Sequence, residues 1–167
     1  DNTRALLLSI MLESEVQDVD EINRLTGVYL SFIDYAYNQK NGKFRNLMNY
    51  QREWIDEEGS EDTTGRVAWA LGYTASYTQM TNFRHHANHL FDKVLPAVDN
   101  LTHPRAIAYA TLGLVYYAKK NESSAVMEQI KRNTERLYAL FEPHIDKEWL
   151  WFEEKVSYAN IRIPQAM

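Results

Sequence analysis
Hydrophobic and polar positions along the chain fall into two alternating patterns. Residues 2–13 (NTRALLLSIMLE) carry apolar side chains on nearly every side, which predicts a helix buried all round. Residues 18–39 (DVDEINRLTGVYLSFIDYAYNQ) follow a helical period with charges early and aromatics late, which predicts an amphipathic helix. The alternation then repeats. Residues 63–80 (TTGRVAWALGYTASYTQM) read as a second buried helix, with Thr63 or Thr64 as its N-cap. Residues 82–98 are amphipathic and are expected to stop at Pro96. Residues 103–120 read as a third buried helix with Pro104 at its first position. Residues 122–144 carry an apolar stripe at Val126, Ile130, Leu137 and Phe141. Residues 157–167 (SYANIRIPQAM) open a fourth buried segment. The stretch 41–62 has no clean period and reads as a long loop, its Phe44, Tyr50 and Trp54 favouring order.

The buried segments resemble one another. Each sets an arginine near its start (Arg4, Arg66, Arg105, Arg162), followed by small and apolar residues. A linear helical array would repeat at a constant interval of roughly 34–47 residues, and these spacings are uneven. Inner helices standing in a ring, wrapped by outer helices and decorated by variable loops, fit better. The expected fold class is therefore all-α, built from helical hairpins of an (α/α)6 toroid. A closed ring of twelve helices needs about 300–360 residues. This chain of 167 residues supplies about seven helices, so the expectation is an incomplete ring. In that reading, 1–167 is one helical domain of a larger toroid, cut inside an inner helix at each end, and the missing N-terminal half is a partner.

Composition narrows the picture. The chain is 45% hydrophobic with six Gly and four Pro, which suits a helical core. A net charge of −5 argues against a nucleic-acid phosphate partner. There is no cysteine, so disulfides and thiolate metal sites are excluded and a reducing, cytoplasmic setting is expected. No apolar run approaches the roughly 20 residues that span a bilayer, so no membrane partner is expected.

Four stretches resemble the C-terminal half of a bacterial six-hairpin (α/α)6 glycosidase-like family, found alone or fused to glycosyltransferase domains. They are DNTRALL (1–7), NGKFRNLM (41–48), EDTTGRVAWALG (61–72) and WLWFEEKVSYANIRIPQAM (149–167). The family pattern has a further Asp before Asp1, Asp at the position of Ala159, and often Ser-His at Thr63-Thr64. An acid role at position 159 is thus lost. The resemblance implies carbohydrate-linked biology.

Candidate chemistry gathers where loops enter the inner helices. Glu61 and Asp62 precede the second buried helix, as capping acids or as acids facing a central cavity. Trp149, Trp151, Phe152, Glu153 and Glu154 join rings that stack on a pyranose to carboxylates that accept its hydroxyls. Glu153 is the leading acid, and the rings are equally readable as core. Asp1 and Asn2 begin an inner helix at the same mouth. The candidate catalytic acids are Glu153, Asp62 and Asp1. The candidate substrate-binding residues are Trp151, Trp54, Arg66, Arg162, Asn2, Glu61 and Asn160. Phe44, Arg45, Asn46, Tyr50 and Arg52 in the long loop can fork hydrogen bonds to hydroxyls or simply pack. Arg66 and Arg162 need counter-charges, expected to be Asp62 and Glu153. That pairing favours binding over catalysis.

His85, His86 and His89 have helical ligand spacing but no accompanying glutamate motif, and they read as surface residues. No Gly-rich phosphate loop or nucleophile elbow is present. No cofactor or metal is expected. Two functions follow: a carbohydrate-active domain that binds or hydrolyses a glycan, or a non-catalytic helical scaffold for protein partners. Exposed helix flanks would also allow a homodimer.

Overall fold
A computed structural model describes residues 1–145, 148–156 and 158–167. The described residues form an all-α fold. Its seven helices are α1 (Asn2–Leu12), α2 (Val19–Ala36), α3 (Glu61–Tyr77), α4 (Thr81–Val98), α5 (Pro104–Ala118), α6 (Ser124–Phe141) and α7 (Arg162–Ala166). Ser157, where the sequence pattern starts the last helix, lies outside the described residues.

Local chemistry sets most boundaries. The Asp18 carboxylate accepts from the Glu21 backbone N–H at 3.1 Å, and Asp20 and Glu21 occupy the positive end of α2. Ser123 caps α6 through the Val126 N–H. Pro104 stands at the first position of α5, where its missing N–H costs nothing. Two boundaries differ from the sequence reading. α3 starts at Glu61 with Ser60 as N-cap, ahead of Thr63. α4 runs through Pro96 to Val98, because a proline one turn from the end forfeits a single backbone bond.

The helices form two layers. α1, α3, α5 and α7 pack side by side in chain order, while α2, α4 and α6 pack on the backs of α1, α3 and α5. The buried segments of the sequence are thus the inner row, and the amphipathic ones the outer. The most extensive contact joins α3 to α5. There backbone meets backbone: a Cβ placed on Gly65 would lie 2.5 Å from the Ala106 carbonyl oxygen, and one on Gly72 would lie 2.1 Å from that of Gly113. These pairs advance together along both helices, so α3 and α5 are parallel. Trp69 and Tyr109 stack across the seam at 5.7 Å and 9°.

α1 shares this direction. The buried Glu13 carboxylate, just past α1, accepts from Thr78 Oγ1 at 3.1 Å and from the Gln79 N–H just past α3. The N-terminal ends of α1, α3 and α5 therefore gather at one end of the molecule.

The stretch 41–62 is more structured than a plain loop. Short strands β1 (Tyr37–Asn38) and β2 (Lys43–Phe44) pair antiparallel, Tyr37 opposite Phe44, around Gly42 at φ +71°. Farther on, the Asp56 carboxylate accepts from the Asn46 and Leu47 N–H groups at 2.8 and 3.1 Å. Met48 bridges to Trp54. No described helix is long and apolar enough to cross a membrane.

Candidate functional site
A cavity of about 350 Å³ opens at the N-terminal ends of α1 and α3. Its walls come from four places: the first turn of α1 (Asp1, Asn2, Arg4), the last turns of α2 (Phe32, Ile33, Ala36), the segment after β2 (Arg45, Asn46), and the start of α3 (Ser60, Asp62, Thr63, Arg66). Tyr158 closes the rim. Of the residues proposed from sequence, Asp1, Asn2, Asp62 and Arg66 share this cavity, joined by Arg45 and Asn46 from the long loop.

Asp62 and Arg66 pair one helical turn apart, at 3.5 Å. Arg66 Nη2 also donates to Tyr109 Oη at 3.0 Å, and its guanidinium lies 4.4 Å from that ring. Tyr158 Oη donates to Asp62 at 2.8 Å. That hydrogen bond, aided by burial, raises the Tyr158 phenol above the ordinary tyrosine value, so the group stays a donor. Burial likewise raises Tyr109. On the opposite wall Asp1 pairs with Arg4.

Glu153 lies beyond the rim, one relay away. Arg105 pairs with it at 3.2 Å, and the same guanidinium lies 4.6 Å from the Tyr158 ring and 3.4 Å from Asn160 Oδ1. The sequence-based pairing of Arg162 with Glu153 is therefore corrected to Arg105 with Glu153. Arg162 instead lies 4.6 Å from the Trp69 ring and donates to Gln165. Together these contacts make a continuous chain, Arg66 to Tyr109 to Trp69 to Arg162, across three inner helices.

The remaining candidates lie elsewhere. Glu61 accepts from Thr102 N and Oγ1 and from His103 N at 2.6–2.8 Å, so it caps α5 from the neighbouring helix. Burial pushes its carboxyl up, but these hydrogen bonds outweigh that and hold it below the usual glutamate value. Trp54 packs against Phe32 and Tyr35 beneath Arg45. Trp151 meets Phe152 edge-on, and Phe152 packs on Phe141 in the core. Asn160 is buried. None of these lines the cavity. Away from it, His86 Nε2 lies in hydrogen-bond contact with Asp34 at 3.1 Å, joining α2 and α4.

Tyr158, Tyr109 and Arg105 were not singled out as site residues by sequence reasoning. Arg105 carried a signal, as one of the four arginines at the starts of buried segments. Tyr158 carried none, because its role depends on a hydrogen bond to a residue 96 positions away.

All three candidate acids are held by arginines: Asp1 by Arg4, Asp62 by Arg66 and Glu153 by Arg105. Such carboxylates are well placed to accept hydrogen bonds. None of these pairs resembles a carboxyl isolated in an apolar pocket, the arrangement that prepares a general acid. Compared with known proteins, the chain matches no family model, no curated protein and no solved structure.

Proposed function
We propose that the cavity at the N-terminal ends of α1 and α3 is a carbohydrate-binding site, and that the chain is a glycan-binding part of an (α/α)6 toroid. The observation that carries the reading is the convergence of Asp1, Asn2, Asn46, Asp62, Arg66 and Tyr158 on one cavity of about 350 Å³. Sugar hydroxyls need donors and acceptors side by side, and this lining supplies carboxylates, amides, a guanidinium and a phenol. The two-layer helix arrangement and the resemblance of four stretches to six-hairpin glycosidase-like proteins support the same reading. Arginine-held acids favour binding over hydrolysis, so a hydrolytic role for Glu153, Asp62 and Asp1 ranks second.

Titration calorimetry against a panel of mono- and oligosaccharides tests the reading, with release of reducing sugar followed in parallel. Binding by the native chain, weakened by Asp62→Asn and by Tyr158→Phe with the fold retained, is the expected result. Failure of every sugar to bind would sink it.

One observation favours a scaffold reading. α1 belongs to the inner row, yet its Leu8 and Met11 are 56% and 46% exposed. α2 likewise exposes Val28 and Tyr35. Sedimentation velocity of the native chain and of Leu8→Glu would show whether this edge holds a second copy.

A further inference from the structure
The cavity that lies between α1 and α3 has a charge bias at odds with the acidic chain around it. Three arginines (Arg4, Arg45, Arg66) line it against two aspartates (Asp1, Asp62), in a protein of net charge −5. The aspartates are already held. Asp1 is paired with Arg4, and Asp62 takes both Tyr158 Oη and Arg66 Nη2. The arginines are less fully engaged. Among the described residues, Arg66 makes its side-chain hydrogen bonds through Nη2, with no acceptor at Nε or Nη1. Among the described residues, Arg45 reaches Glu57 at 3.5 Å, and its buried Nε has no hydrogen-bond partner. Both side chains are largely enclosed, 17% exposed for Arg45 and 20% for Arg66.

Two helix N-termini add to this bias. α1 and α3 both begin at the cavity, and neither has its first turn capped by the side chain of its N-cap residue. Such ends favour negative charge. The cavity thus combines two planar guanidinium groups, each in contact with one acid at 3.5 Å, with the first turns of two helices, and each of its own aspartates is held by an arginine. A neutral sugar would leave the guanidinium forks unmatched, and a guanidinium fork fits a carboxylate or phosphate in bidentate fashion.

We infer that the cavity takes an acidic sugar, with its carboxylate or phosphate held between Arg45 and Arg66 and its hydroxyls on Asp62, Asn46 and Tyr158. This rests on the carbohydrate reading above and narrows its substrate class. The anion can come from a uronic acid or from a sugar phosphate, and the chemistry on the arginines is the same.

Calorimetry with four probes separates the outcomes: glucuronate, glucose 1-phosphate, glucose and inorganic phosphate. The expected result is binding of one or both acidic sugars at least about tenfold more tightly than of glucose, the scale of a charge-assisted hydrogen bond. Whichever acidic sugar binds identifies the source of the anion. Arg45→Met should remove that preference, bringing the acidic sugars down to the affinity of glucose for the same variant. Arg45→Lys, which keeps the charge and loses the fork, should keep part of it. Melting curves of both variants confirm the fold.

Equal binding of glucose and the acidic sugars overturns this inference and leaves the carbohydrate reading standing. Binding of inorganic phosphate as tightly as glucose 1-phosphate overturns the carbohydrate reading instead, leaving only an anion site. Absence of binding by all four probes overturns the inference outright. An unchanged preference in a folded Arg45→Met also overturns it, by placing the anion elsewhere.

Discussion

Replacing Gly72 by alanine puts a methyl group into the tightest seam of the molecule. Its Cβ would sit 2.1 Å from the Gly113 carbonyl oxygen and 2.7 Å from the carbonyl carbon. A carbon needs about 3.3 Å from a carbonyl oxygen, so α3 and α5 must part by roughly 1 Å. Neither neighbour can rotate away, because both atoms are backbone. Overpacking of this kind costs about 1–3 kcal/mol. Parting the helices also thins the dispersion contacts along the rest of the seam, where Ala68 and Ala106 touch their partners. Against this stands about 1 kcal/mol of helix propensity gained by alanine. With the thinned contacts included, the net expectation is a loss of about 1–2 kcal/mol, or about 2–8 °C in Tm for a chain of this length.

Gly27→Ala is the internal control. The same substitution in α2 would place Cβ 3.6 Å from the Phe83 ring, an ordinary contact. Only the propensity gain then remains, so this variant should be more stable by about 0.5–1 kcal/mol. Urea and thermal melts followed by circular dichroism measure both. A Gly72→Ala variant as stable as the native chain, or a shift of both variants in the same direction, would refute the packing argument.

Further tests address the electrostatics. Glu61→Gln should cost about 1–2 kcal/mol at neutral pH by weakening the cap of α5. Because Glu61 is held below its usual value, its contribution is present above the unfolded value of about 4.3 and is lost as pH falls through the folded one. The variant should lack that part of the acid-side slope in pH-dependent urea melts. Asp34 follows the same sign. Burial pushes it up, but His86 and Lys93 outweigh burial and hold it low. Asp34→Asn should nonetheless cost under about 1 kcal/mol, since the pair is partly open to solvent. Tyr158 has the opposite sign. Its raised value means that its contribution holds below the ordinary tyrosine value of about 10 and fades above it. Tyr158→Phe should remove part of the phenolate absorbance that titrates above the ordinary tyrosine value.

The helices were legible because their signals are local. The continuous apolar faces of residues 63–80 and 103–120 marked inner helices before any contact was known, and Asp18 and Pro104 marked starts. Pro96 misled because a helix in its last turn tolerates the loss of one backbone bond. The long loop was legible as ordered but not in form, since the Asp56 bonds that shape it join residues about ten apart.

Sequence by itself determined the all-α class, the alternation of buried and amphipathic helices, and the gathering of acids and arginines at the starts of inner segments. Periodicity and capping act within a few residues, so a linear reading captures them. Only the tertiary structure decided which acid meets which arginine and which candidates share a cavity. The close approach of α3 and α5, permitted by Gly65, Gly72 and Gly113, brings Tyr109 onto Arg66 and Trp69. Near the end of the chain, Tyr158 meets Asp62, Glu153 meets Arg105 and Arg162 meets Trp69. Those partners are set by the spacing and register of packed helices, and residues far apart along the chain carry no local mark of them.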